Sequence, residues 1–255
     1  MSIHPTAIIN EGARLGTNVR VGPCAVIETG TDIGEGAEIR AHAVVKRYTT
    51  LGEASIIHEG AVVGGEPQDL SFKECESYLR VGARCSIREG ATLHRGTEPG
   101  SATTVGSDCF IMACAHVAHN CRLGDRVILA NNVALAGHVE IDDQAFLSGG
   151  VVVHQFCRIG RLAMIGGNSK IVQDCLPFVI TDGVPGRACG LNMVGLRRAG
   201  FKSSEIKKLK DAYRLLLRSG LALEEALARL TDMDDPLVDY LVSFARHSRR
   251  GFCRE

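Results

Sequence analysis

Residues 105–171 read VGSDCFIMACAHVAHNCRLGDRVILANNVALAGHVEIDDQAFLSGGVVVHQFCRIGRLAMIGGNSKI, and from Val105 every sixth residue is aliphatic: Ile111, Val117, Leu123, Leu129, Leu135, Ile141, Leu147, Val153, Ile159, Ile165 and Ile171. The same phase extends back to Ile3. Of the 29 positions that it visits between 3 and 171, only Asp69, Cys75 and Pro99 are not aliphatic. A period of six suits neither a helix, which repeats every 3.6 residues, nor a long strand, which alternates every two. It suits a chain that turns a corner once per repeat.

Two positions before the aliphatic residue the side chain is usually small or β-branched, as at Ala25, Thr31, Ala37, Ala43, Ala115, Val127, Val133 and Ala163. Both positions therefore face inward, as period-two alternation requires. Glycine often follows the aliphatic residue, at Gly16, Gly22, Gly34, Gly52, Gly82, Gly106, Gly124 and Gly160, where a tight corner favours a residue without Cβ. Three such sides close an 18-residue triangular coil, and coils stack at about 4.8 Å, the spacing of neighbouring strands. Five of the ten cysteines, Cys85, Cys109, Cys121, Cys157 and Cys175, occupy the small inward position. They read as buried apolar fillers and not as nucleophiles.

Composition narrows the functional classes. The chain has 255 residues, 45% of them apolar and 23% charged, which excludes disorder as the main state. Twenty-nine basic residues balance 29 acidic ones, so there is no overall basic field for nucleic acid. The N-terminus shows no secretory pattern, no apolar run is long enough to span a membrane, and no Cys-x-x-Cys pair occurs. We expect a cytoplasmic, unprocessed protein with reduced thiols.

The repeat lapses over residues 64–80 and again around 96–104, in stretches of turn formers and charge that suit binding loops. After Gly183 the pattern becomes helical. Ser203 or Ser204 is placed to cap a helix running to about Ser219, residues 222–230 suit a second, and Pro236 starts a third through Ala245. We expect a catalytic prism over residues 1–183 and an α-helical region over residues 184–255. The helical region's basic residues, among them Lys202, Lys207, Arg214, Arg249 and Arg250, read as solvated faces or as a surface for an acidic partner.

Residues 18 apart share an angular position on successive coils, which gathers dispersed polar groups. His119, Gly137 and Gln155 form one column, Asn120, His138 and Phe156 the next, and His154 stands above Ala118 and Ala136. One histidine at such an edge is ordinarily structural; several converging with glycine and glutamine suggest chemistry. Acyl transfer to a hydroxyl needs a base for the proton and a donor for the tetrahedral oxyanion. This edge offers both without a cofactor or metal.

The segments DCFIMACAHVAHNC (108–121), ILANNVALAGHV (128–139), VHQFC (153–157) and GLRRAGF (195–201) resemble the UDP-N-acetylglucosamine 3-O-acyltransferases, hexapeptide-repeat enzymes that open lipid A synthesis. The resemblance spans almost the whole chain, helical tail included. It implies a mainly β fold, a left-handed parallel β-helix of hexapeptide repeats with a C-terminal α-helical domain, assembled as a homotrimer with clefts between neighbours. It implies acyl carrier protein bearing a 3-hydroxyacyl group and a UDP-amino sugar as partners. It also implies His119 as general base and the Gly137 N–H as an oxyanion donor, with His94, His116, Asn120, His138, His154 and Gln155 contacting substrate or orienting the site. Gln68 and Asp69 match a loop that reaches the sugar nucleotide across a subunit boundary, Arg198 a basic residue near the nucleotide or carrier, and Gly167 the floor of the acyl groove. The chain departs from the family pattern at Asn120, where aspartate is usual, at Ser71, where lysine is usual, and at Ala199, where a second arginine is usual.

Three alternatives stay open at this level. A 3-amino sugar would yield an amide, which competition between the two nucleotides would separate. A γ-carbonic-anhydrase-like zinc site could use His116 and His119, and stoichiometric zinc would reveal it. A non-catalytic scaffold would show no turnover.

Overall fold

The computed structural model describes residues 1–254; residue 255, the last of the expected helical region, lies outside them. The six-residue period becomes short parallel strands, mostly two residues long, separated by two-residue turns. They stack as three flat faces of a triangular prism that winds left-handed. The first face runs from Ser2–Ile3 to Val179–Asp182, the second from Ile8–Ile9 to Lys170–Ile171, and the third from Arg14–Leu15 to Arg158–Ile159.

Registers state the coil length directly. Val117 pairs with Leu135 and Leu135 with Val153, offsets of 18 residues. Where the repeat lapses, Val63 pairs with Leu93, an offset of 30, and Leu93 with Val117, an offset of 24. The two loops thus add 12 and 6 residues. Because both are multiples of six, the inward phase survives them.

Inside the prism the expected columns are buried: Ile111, Leu129, Leu135, Leu147 and Ile165 have no exposed surface. Each such burial contributes roughly 1.5–3 kcal/mol. The N-terminal coil is the exception, with Ile3 44% exposed, because no further coil covers it. The five inward cysteines are buried, and burial pushes the Cys121 thiol up to about 12 and the Cys157 thiol to about 11. Neither supplies a thiolate nucleophile at neutral pH.

The glycines after the aliphatic residues play a different part from the one expected. Left-handed backbone occurs three residues after the aliphatic position, at Asn120, His138 and Phe156 among others, with φ of 59°, 60° and 64°. Gly34 and Gly124 are instead required by close approach. A Cβ on Gly34 would lie 2.6 Å from the Glu53 amide nitrogen, and one on Gly124 2.8 Å from that of Asp143, on the next coil.

The helical region closes the C-terminal end. A strand Arg187–Leu191 folds back antiparallel on Val179–Asp182, and α1 (Met193–Arg198), α2 (Ser203–Arg218), α3 (Leu223–Thr231) and α4 (Pro236–Arg246) follow. The hairpin and α1 were not anticipated. Leu176 and Val179 of the last coil pack with Tyr213, Leu227, Leu230 and Phe244 of the helices. Cys253 then re-enters the prism core, its N–H donating to the Asp174 carbonyl at 2.8 Å. The α2 cap is Lys202 and not a serine: the Glu205 carboxylate accepts from the Lys202 N–H at 2.6 Å, and Ser203 is the first helical residue. Among the described residues no helix is long and apolar enough to cross a membrane.

Candidate active site

The corner between the second and third faces carries the polar columns. Each coil arrives through an outward residue of the second face, His116, Ala134 or Val152, and turns through His119–Asn120, Gly137–His138 or Gln155–Phe156. Hydrogen bonds between turns lock the stack: the His138 N–H donates to the His119 carbonyl at 3.0 Å and the Phe156 N–H to the Gly137 carbonyl at 3.2 Å. In these three turns the N–H groups of the first residues, His119, Gly137 and Gln155, donate to no described acceptor.

His119 is the centre of the cluster. Its Nδ1 lies 3.0 Å from Asn120 Oδ1, and its Nε2 lies 3.9 Å from Asp69 Oδ2. A Cβ on Gly137 would come within 2.6 Å of that Nε2, so only glycine leaves the imidazole where it is. His138 meets His119 edge to face at 5.2 Å and stacks on Phe156 at 4.7 Å between centroids. On the other side His116 meets the buried His94 edge to face at 4.8 Å.

Burial disfavours the charged form of three of these histidines, His94, His116 and His138. Burial, then the neighbouring His116 and His119, pushes His94 down to about 4. Burial lowers His116, with His119 adding to it. Burial also lowers His138, helped by His119 and opposed by Asp69 and Glu98. Asp69 is held below the usual carboxylate range by the Ser71 N–H and hydroxyl, both donating to Oδ1 at 2.8 and 2.7 Å. That leaves Oδ2 facing the imidazole.

A cleft of about 620 Å³ opens here, lined by His116, His119 and Gly137, by Gln155 and Val152, and by Gln68, Asp69 and Leu70 of the first loop. Not every expected site residue borders it. Asn120 and His138 face the adjoining hollow, His94 sits beneath His116, and His154 is exposed with its Nδ1 3.0 Å from the Gln155 carbonyl oxygen. Gly167 lies at the other corner of the second face, where a Cβ would meet only the Gly149 carbonyl at 3.5 Å and the Ser148 Cβ at 4.0 Å. Arg198 is exposed at the end of α1.

Several supporting residues escaped sequence reasoning. Thr92 Oγ1 lies 2.8 Å from His116 Nδ1. Thr97 and Thr103 bond Asn120. Arg95, fully buried, grips Glu74 at 2.8 and 2.9 Å and donates to the Cys75 carbonyl and the Ser77 hydroxyl, so it pins the base of the first loop. The signal was present in the adjacency of His94-Arg95-Gly96-Thr97 to the second interruption. Elsewhere, His58, Glu59 and Glu89 group their potential ligand atoms within 4.8 Å, but Arg40 lies 3.1 Å from His58 Nδ1 and Arg88 holds Glu89. Those cations already meet the cluster.

A three-faced coil of hexapeptide repeats with a polar corner cleft and a helical cap defines a hexapeptide-repeat acyltransferase. The comparisons carry this further. A family model described as UDP-N-acetylglucosamine O-acyltransferase, domain 2, matches residues 174–253, and one described as bacterial transferase hexapeptide matches residues 102–137. The chain is 52% identical to the acyl-[acyl-carrier-protein]--UDP-N-acetylglucosamine O-acyltransferase of Burkholderia mallei and 50% identical to that of Burkholderia orbicola, over 99% of both chains in each case. It superposes on the UDP-N-acetylglucosamine O-acyltransferase of Moraxella catarrhalis with a TM-score of 0.96, at 39% identity and full coverage of both chains. The Francisella novicida enzyme gives 0.95 at 37% identity, covering 99% of this chain and 94% of that one. The chain belongs to the UDP-N-acetylglucosamine O-acyltransferase family.

Proposed function

We propose that the corner cleft transfers a 3-hydroxyacyl chain from acyl carrier protein to the 3-hydroxyl of UDP-N-acetylglucosamine, the opening step of lipid A synthesis. Membership of the family supports the reaction class, and its relatives are named as O-acyltransferases and not N-acyltransferases. The observation that carries the chemistry is the juxtaposition of His119 Nε2 with the unpaired N–H of Gly137 at the floor of one cleft.

His119 Nε2 takes the proton from the sugar hydroxyl as its oxygen attacks the thioester carbonyl. The tetrahedral oxyanion is stabilised by the Gly137 N–H, which needs no reorganisation because the turn already fixes it. Collapse breaks the carbon–sulfur bond, and the imidazolium returns its proton to the departing thiolate. The products are the ester and the free carrier thiol, so atoms and charge balance without a cofactor. Asn120 cannot offset the transient imidazolium charge as a carboxylate would. Asp69 Oδ2, 3.9 Å from Nε2, is the anion at hand.

In this reading Gln68 and Asp69 hold the sugar nucleotide, helped by His138, His154 and Gln155, while His116 and His94 shape the cleft floor. Gly167 ends the acyl groove along the second face, and Arg198 meets the nucleotide or the carrier. The last two lie away from the cleft of their own chain, and a homotrimer with clefts between neighbours would bring them to it. Residues 1–183 form the catalytic prism and 184–255 its helical cap. Ten free thiols suit a cytoplasmic setting.

The test is mass spectrometry of products formed from 3-hydroxyacyl carrier proteins of mixed chain length with UDP-N-acetylglucosamine and its 3-amino analogue in competition. An alkali-labile ester as the main product is expected. Preferential amide formation, or no transfer, would contradict the assignment.

A further inference from the structure

The second loop touches the reactive corner through Thr97 and Thr103, and of these only Thr97 bonds the Asn120 side chain. Asn120 Oδ1 sits 3.1 Å from the Thr97 amide nitrogen, 2.9 Å from Thr97 Oγ1 and 3.0 Å from His119 Nδ1. The oxygen and nitrogen of an asparagine amide have the same shape, and only the surrounding hydrogen bonds tell them apart. Here the surroundings are decisive. A backbone N–H can only donate, so the Asn120 atom that faces it is the oxygen. A carbonyl oxygen can only accept, so His119 Nδ1 carries the ring proton. Nε2 is left with its lone pair towards the cleft, the form that a general base needs.

We infer that Thr97 is a positioning residue that sets the tautomer of His119 by fixing which way round the Asn120 amide stands. The inference rests on the reading of His119 as the base. A carboxylate at position 120 would need no such control, because its two oxygens are equivalent acceptors. An asparagine has one accepting atom, and a half turn about its last bond would present its NH2 group to Nδ1. That would favour the opposite tautomer, with the proton on Nε2 and no base in the cleft. The half turn would also drive the NH2 group against the Thr97 N–H, and the Thr97 hydroxyl supplies a second bond to the correct orientation. Thr103 Oγ1, accepting from the Asn120 N–H at 2.8 Å, holds the turn in its left-handed backbone form but does not distinguish the two amide orientations. Thr97 is itself braced from the first loop, since Cys75 Sγ donates to its carbonyl at 3.5 Å. Both insertions in the repeat thus converge on one imidazole.

The experiment is a double-mutant comparison in the full-length enzyme, with two readouts. Removal of one hydrogen bond from the pair that orients Asn120 is expected to lower the kcat of Thr97→Val about fivefold, with KM unchanged. Thr97→Ser, which keeps the hydroxyl, restores the wild-type value. When Thr97→Val is added to Asn120→Asp, kcat stays within about twofold of the Asn120→Asp single variant, because the carboxylate needs no orienting. In parallel, 15N shifts of the His119 ring, assigned through His119→Gln, read the tautomer directly: Nδ1–H in the parent and a mixture in Thr97→Val. An equal fall in kcat in both backgrounds, or a ring signal indifferent to Thr97→Val, overturns the inference. A ring signal that responds while kcat does not would uphold the positioning role and displace His119 as the base, so the two failures are separable.

Discussion

At the scale of single residues, the site depends on small geometric facts that the sequence only partly discloses. That His119, Gly137 and Gln155 share a column was legible, because an 18-residue coil dictates it. The duties of Thr97 and Ser71 were not legible, because they depend on where loop residues come to rest, and that of Thr92 was not, because the second loop changes the offset that pairs it with His116 from 18 to 24 residues. Ser71 is instructive: it departs from the family pattern, and its N–H and hydroxyl occupy one Asp69 oxygen and leave the other for the imidazole. His94 yields a prediction at this scale. Its folded pKa, about 4, lies below the ordinary 6.5, so between those values the unfolded chain binds more protons. The stabilisation is therefore complete above about pH 6.5 and is lost as pH falls towards 4, by at most about 3 kcal/mol. Urea unfolding at pH 7 and pH 5 should show a smaller loss of stability for His94→Gln than for the parent; equal losses would show that His94 is not the group responsible.

At the scale of elements, the strands and the three longer helices follow from patterning, and the boundary errors have local causes. The α2 cap lies one or two residues before the expected serine because Glu205 satisfies the Lys202 N–H, which makes a serine cap unnecessary. The hairpin Arg187–Leu191 and α1 carry no periodicity long enough to read; α1 spans six residues and is held by Asn192, which accepts from the Gly195 N–H at 2.9 Å. The loops were legible as interruptions, but not the buried arginine that holds the first of them. Arg95→Met should free residues 66–77 from the prism. We expect a stability loss of about 2–3 kcal/mol, moderated because Glu74 is half-exposed and also meets Arg47. Cleavage within that loop by added protease should accelerate severalfold before any cleavage of the coils. Unchanged loop cleavage would show that the clamp is dispensable.

At the scale of the whole molecule, one repeat creates both the stability and the site. Inward aliphatic columns make the prism solid, and the same vertical alignment brings His119, Gly137 and Gln155, dispersed in the chain, to one corner. Ile111 has no exposed surface, so Ile111→Asp would bury an unpaired carboxylate and should abolish the cooperative thermal transition; a melting curve like the parent's would contradict the account of the core. The fold was legible because the period is long and nearly unbroken, whereas assembly leaves no such trace in one chain. The most direct measurement is acyl transfer by His119→Ala, with sedimentation and thermal melting on the same preparation. The account predicts loss of turnover by three or more orders of magnitude, given that general-base catalysis and substrate alignment act together at this residue, with assembly and melting temperature preserved. Near-parental turnover in that variant would contradict it.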